Sequence, residues 1–196
     1  MARPKAFVER DALAAAMEVF WRLGYERASL DLLLDAMGIS KQSLYDTFGD
    51  KRALYLLALA AYRDQTLTAM RELFASARTT RDGFSRLLLE LSAETEEQHA
   101  RGCLLLSANL ERDTDDAVIA SFLRENQAAV EKVFAEAIAR GQSTGELSRG
   151  LDAQAMARFF TVTVQGMRAM ARLKSDRRAL RQVARVALAA LGEPRS

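Results

Sequence analysis

The stretch Leu30 to Lys51, LDLLLDAMGISKQSLYDTFGDK, sets the strongest constraint on what this chain can fold into. Leu30, Leu33, Leu34 and Met37 recur at the three- and four-residue steps of one helix face. Gly38 then stands where a helix end takes the left-handed conformation, which glycine adopts without steric cost. Ser40 is a good cap for a second helix over 41–48, because its hydroxyl can accept a backbone N–H of the first turn. Leu44 and Phe48 point that helix inward and leave Lys41, Gln42, Ser43, Tyr45, Asp46 and Thr47 outside. Two short helices joined by a tight turn, the second with a polar outer face, make the layout of a helix-turn-helix.

The remainder of the chain also reads as helices. It is rich in Ala, Leu, Arg and Glu, its two prolines (Pro4 and Pro194) lie near the ends, and no run alternates apolar with polar residues, so the expected fold class is all-α. Leu13, Ala16, Met17, Phe20 and Trp21 mark a first helix over 11–23, closed by Gly24, and Ser29 caps the next. Three short helices form a head with Phe20, Leu34, Leu44 and Phe48 expected at its core. Arg3-Pro4-Lys5 ahead of it reads as an extended basic lead, suited to a phosphate backbone or a minor groove, or as a frayed end.

After Gly49, Asp50 caps a long helix that starts at Lys51 and carries Leu54, Leu57, Ala58, Ala61, Tyr62, Leu67, Met70 and Phe74. No Gly/Ser-rich linker intervenes, so this helix is itself the connection between a head at 1–50 and a body at 51–196. In the body, Phe84 to Leu91 mark a helix ending near His99, and 102–110 a short apolar one. Asp115 or Asp116 starts a helix with Ile119, Phe122, Leu123, Val130 and Phe134, which fades in a loop at 141–150. The last two helices, from about Asp152, bring the expected number to about nine. Their stripes, with Met156, Phe160, Val164, Leu180, Val183, Ala187 and Leu191, either finish the core or face a second copy of the chain in a four-helix interface.

Charge does not announce a nucleic-acid binder. Residues 1–55 hold eight Lys/Arg and eight Asp/Glu, residues 56–167 twelve and sixteen, and residues 168–196 eight and two, so the head is neutral and only placement of charge can argue for DNA. Arg177, Arg178, Arg181 and Arg185 fit a solvated helix rim better than a second nucleic-acid surface. No signal-peptide pattern and no apolar run near the ~18 residues of a membrane span is present, and with a lone Cys103 excluding an intrachain disulfide, a cytoplasmic protein is expected.

Catalysis finds little to stand on. His99 is the single histidine, which excludes a multi-histidine metal site within one chain, and it reads as a surface residue near a helix end. Asp113, Asp115 and Asp116 suggest a calcium loop, but Val118 stands where glycine is needed and Arg124 where glutamate is needed, so they read as helix caps. Cys103, with Lys174 as a distant partner, would suit a sensing thiol, yet its flanks Gly102 and Leu104-Leu105-Leu106 favour a buried small residue. No glycine-rich phosphate loop or paired nucleophile and base is present; a small helical enzyme and a helical protein-interaction module are the rival readings.

The pattern Phe20-x3-Gly24-Tyr25, then Ser29, then Met37 to Leu54 (MGISKQSLYDTFGDKRAL) resembles the TetR family of bacterial transcriptional regulators. The resemblance implies a homodimer that sets the second helix of each motif in successive major grooves of a palindromic operator, with no cofactor, and a small apolar or amphipathic effector that binds the body and releases DNA. By position it implies Lys41 and Gln42 at base edges and Ser29, Ser43, Tyr45, Thr47 and Lys51 at phosphates. One departure is Asp46-Thr47 where many members carry an aromatic and a histidine; Asp46 is expected to turn from DNA or to pair with a nearby Lys or Arg. Phe84, Leu88, Cys103, Asn109, Phe122, Phe159, Thr163 and Met167 are the expected lining of an effector pocket, a role that core packing or dimer contact would explain as well.

Overall fold

The computed structural model describes residues 3–111, 116–173 and 176–192, the first six of these by backbone alone; Asp113, Asp115 and Lys174 lie outside the described residues. Among them every regular element is a helix, in the order α1 Arg3–Arg27, α2 Leu30–Met37, α3 Lys41–Phe48, α4 Lys51–Ser76, α5 Thr80–Ala93, α6 Glu96–Arg101, α7 Leu104–Glu111, α8 Ala117–Ser143, α9 Ala153–Arg172 and α10 Arg177–Ala189. No helix among the described residues is long and apolar enough to cross a membrane. The chain divides into two compact units, Met1–Gln65 with Cys103–Ser121, and Thr66–Gly102 with Phe122–Ser196. The first unit thus extends past residue 50 to take in the beginning of α4, all of α7 and the start of α8.

In the first unit, α1 begins at Arg3, so the backbone of Arg3-Pro4-Lys5 is helical and not an extended lead. Gly24 interrupts the helix at φ 77 and ψ 172, a conformation essentially reserved for glycine. A Cβ built there would meet the carboxylate of Glu111 on α7, a flexible end that can move aside, so the backbone conformation is what requires glycine. Phe20, Leu44 and Phe48 are buried as their spacing suggests, but Leu33 is fully buried and takes the place expected for Leu34, which is half-buried. The ring of Tyr55 on α4 packs against Phe20 and Tyr25 at 4.8 and 4.9 Å between centroids, tying the first turns of α4 to the end of α1.

The second unit is centred on four phenylalanines. Phe84 stacks on Phe160 at 4.0 Å and meets Phe74 and Phe134 at 4.8 and 5.3 Å. The turn after α8 closes over α5: the Glu146 carboxylate accepts from the backbone N–H groups of Thr80 and Arg81 at 2.7 and 2.9 Å, satisfying two donors that a helix start leaves open. α5 stops at Ala93, and a separate α6 follows, opened by a capping box in which Thr95 and Gln98 each bond the other's backbone N–H. His99 is therefore not on the surface. It is 7% exposed, its Nε2 lies 3.0 Å from the carbonyl of Leu91, and Glu94 lies 3.8 Å away.

The last two helices turn different residues outward from those expected to meet a partner. Phe160, Leu180, Ala187 and Leu191 are buried in the core of their own unit, and Met156, Val164 and Val183 are half-buried against it. A side chain already covered within its own subunit has little surface to offer a second one. The large apolar side chains that α9 and α10 leave in solvent are Phe159, Val162, Met170 and Val186.

Candidate nucleic-acid interface

The reading element is built by local rules. Ser29, extended at φ −66 and ψ 157, accepts from the N–H of Leu32 at 3.2 Å and starts α2. Gly38, at φ 64, ends it by donating to Leu34 at 2.9 Å, and the chain turns within two residues. Ser40 then accepts from the N–H of Ser43 at 3.1 Å, with its hydroxyl 2.9 Å from that of Ser43. The two serines share one hydrogen bond at the N-terminus of α3 and keep hydroxyl capacity for a phosphate. Leu44 and Phe48 anchor the inner face, and Lys41, Gln42, Ser43, Tyr45 and Asp46 are exposed with Thr47 half-buried beside them.

On this face Asp46 meets Gln42, one turn earlier, and not a cation: the Gln42 Nε2 donates to Asp46 Oδ1 at 2.8 Å. Gln42 and Asp46 at this spacing are a favourable helical pair in their own right. Tyr45, in the middle of the helix, is nearly half exposed.

The junction behind α3 is held from three sides. Asp50 accepts from the N–H of Ala53 at 2.7 Å and starts α4. The ammonium of Lys51 sits 4.4 Å above the ring of Tyr25, a cation–π contact that positions a flexible side chain. Arg52 binds Asp116 through two guanidinium nitrogens, Nε to Oδ2 at 2.6 Å and Nη2 to Oδ1 at 2.8 Å. Asp116 also accepts from the N–H groups of Val118 and Ile119 and so begins α8; the Arg52 hydrogen bond first, and those backbone donors second, hold its carboxyl well below the usual carboxylate range. Burial, aided by Glu26 at Tyr25 and Glu111 at Tyr55, pushes both phenols above their ordinary value, so they stay neutral at physiological pH.

The expected effector-lining residues divide between the two units. Phe84, Leu88 and Met167 are part of the filled core of the second unit, Phe122 and Thr163 are half-buried, and Phe159 is exposed. Cys103, half-buried, and Asn109, exposed, belong to the first unit. The Thr163 hydroxyl is spent on the carbonyl of Phe159 at 2.8 Å. A cavity of about 500 Å³ does open in the second unit, between α6 and the start of α10, and charged residues dominate its lining: Glu96, Glu97, His99, Arg172, Asp176 and Arg177 with two alanines.

Comparison with known proteins gives the same outline. The family model described as bacterial regulatory proteins, tetR family, matches residues 12–58, and that of the tetracyclin repressor-like C-terminal domain matches residues 86–187. The HTH-type transcriptional regulator YezE of Bacillus subtilis (strain 168) is 29% identical over 97% of this chain and 100% of its own length. The HTH-type transcriptional repressor ComR of Escherichia coli (strain K12) is 28% identical over 93% of this chain and 88% of its own. Among solved structures, a cysteine mutant of the TetR family regulator CifR in complex with 26-base-pair operator DNA superposes with a TM-score of 0.83 at 33% identity, covering 93% of this chain and 95% of that one. With a helix-turn-helix capped at Ser29 and Ser40 and a family match that runs through head and body alike, this chain belongs to the TetR family of bacterial transcriptional regulators.

Proposed function

We propose that this regulator is a cytoplasmic homodimeric repressor that grips a palindromic double-stranded operator with one α3 per subunit and lets go when a small apolar or amphipathic effector binds. The observation that carries the DNA-binding part is the outer face of α3, where Lys41, Gln42, Ser43, Tyr45 and Asp46 are exposed along a helix fixed from behind by Leu44 and Phe48. A rigid helix with a polar face and buried anchors is what major-groove entry requires. Lys41 and Gln42 in the first turn address base edges; Ser29, Ser43, Tyr45, Thr47 and Lys51 address phosphates. The CifR–operator complex and the name of ComR as a repressor support the same reading.

The dimer in this reading uses the solvent-facing stripe of α9, with Ala155, Phe159, Val162, Gly166, Ala169 and Met170, together with Val186 of α10. A Cβ on Gly166 would meet nothing within 4 Å in this subunit, so the stripe has room for the close approach of a second helix. Effector release rests on family likeness.

Fluorescence anisotropy with DNA from the region upstream of the regulator's own gene tests the DNA-binding reading. A specific complex is expected whose log K falls linearly with log salt, by about 0.9 per phosphate neutralised. Lys51→Ala should weaken specific and non-specific DNA alike and flatten that slope, whereas Lys41→Ala should weaken the operator more than random DNA. Binding indifferent to both sequence and salt would overturn the assignment and favour a protein-interaction module.

A further inference from the structure

The hydrogen bond between Gln42 and Asp46 does more than stabilise α3. A carboxylate offers only acceptors, so the Gln42 atom 2.8 Å from Asp46 Oδ1 has to be the amide nitrogen and the carbonyl oxygen has to face away from it. A free glutamine turns its amide over at little cost and presents donor and acceptor in either order. This one is pinned, because the reversed amide would set its carbonyl oxygen against the Asp46 carboxylate. Both residues are exposed on the outer face of α3, so the pinned group is presented to solvent.

We propose that Asp46 is a specificity-determining residue that acts through Gln42, fixing its amide in the one orientation that reads adenine. The inference rests on the assignment of Gln42 to a base edge given above. After Asp46 has taken one Nε2 hydrogen, Gln42 retains one N–H donor and the carbonyl acceptor. Adenine presents the complementary pair in the major groove, an N7 acceptor and an N6 amino donor. Guanine presents two acceptors, O6 and N7, so it needs two donors where the pinned amide has one, and its O6 would face the Gln42 oxygen and the Asp46 charge. The carboxylate that looked out of place next to a phosphate backbone is therefore an orienting group, and part of its cost in electrostatic repulsion is returned as discrimination. Asp46 touches no base in this scheme and is a positioning residue.

Selection from a randomised duplex library with the full-length dimer, followed by binding to duplexes that vary the base pair facing Gln42, tests this directly. The wild type should prefer A·T over G·C there by on the order of ten- to a hundredfold, the discrimination a bidentate pair supplies. Asp46→Ala should bind DNA more tightly overall, having lost a repelled charge, yet show that preference cut by about tenfold as the amide is freed to turn. Asp46→Asn loses the same charge and can either accept from or donate to Gln42, so it pins neither orientation: its affinity should rise and its preference should fall as in Asp46→Ala. In a Gln42→Ala background the preference should vanish, and adding Asp46→Ala should change the base profile no further. An unchanged profile in Asp46→Ala, or a profile that still responds to Asp46 when Gln42 is absent, overturns the inference and leaves the regulator assignment standing. A wild type that enriches no sequence overturns both.

Discussion

Phe159 and Phe160 are neighbours on α9 with rings 5.4 Å apart, and truncating each to alanine should do opposite things. Phe160 is fully buried, stacked on Phe84 at 4.0 Å within the four-ring core. Its loss removes the transfer energy of a ring and leaves a cavity that Phe84 cannot fill, a cost of about 3–5 kcal/mol. Phe159 is 40% exposed, so of the ~200 Å² a phenylalanine can bury, ~80 Å² still faces water in the single subunit. At ~25 cal/mol per Å² that surface holds about 2 kcal/mol for a partner that covers it. A two-fold interface covers it twice, so Phe159→Ala should cost the dimer up to about 4 kcal/mol, or roughly a thousandfold in dimer Kd. Urea denaturation at several protein concentrations, paired with sedimentation equilibrium, separates the two effects. Phe160→Ala should lower the midpoint at every concentration, whereas Phe159→Ala should approach wild type when concentrated and fall away on dilution. An unchanged dimer Kd in Phe159→Ala would remove the outer stripe of α9 from the interface, and a cost below about 1 kcal/mol for Phe160→Ala would contradict the tight packing around it.

Two further substitutions probe the first unit. Gly24→Ala forces a side chain into a glycine-only conformation and should lower stability in urea by about 1–3 kcal/mol or more. Asp116→Asn keeps a good cap for α8 but loses the charge bound to Arg52. Because the folded Asp116 carboxyl lies below its unfolded value of about 3.9, its contribution is full above that pH and is lost as pH falls toward the folded value. The wild-type Tm should therefore drop more steeply than that of Asp116→Asn below about pH 4, and parallel acid limbs would show that the pair contributes nothing.

What was legible in the sequence is what short-range chemistry fixes. Ser29, Gly38 and Ser40 bound their helices because a cap acts across three or four residues, and Leu44 and Phe48 face inward because a helix repeats at that spacing. Thr95 and Gln98 carried a capping-box spacing for α6, and Gln42 and Asp46 a favourable four-residue pair. The stripes of α9 and α10 were legible as apolar, but whether they finish the core or face a second copy was not, since periodicity identifies a face and says nothing of what lies on it. Phe160 and Leu180 meet their own core, while Phe159 and Val162, within two residues of Phe160 on α9, stay exposed.

Contacts distant in sequence carry no such signature. Arg52 and Asp116 are 64 residues apart, and Glu146 caps Thr80 from 66 away, so neither pair could be found by spacing. The first of these has the larger functional consequence. α3 ends at Phe48, Asp50 starts α4, and the next residues are fixed in turn by Tyr25 and by Asp116 at the start of α8. The recognition helix is thus attached within three residues to a turn whose geometry depends on where α8 begins. Displacing the start of α8 would stretch that ion pair or carry the end of α3 with it. A bidentate ion pair, and not the length of α4 alone, thus fixes the turn from which the reading helix hangs.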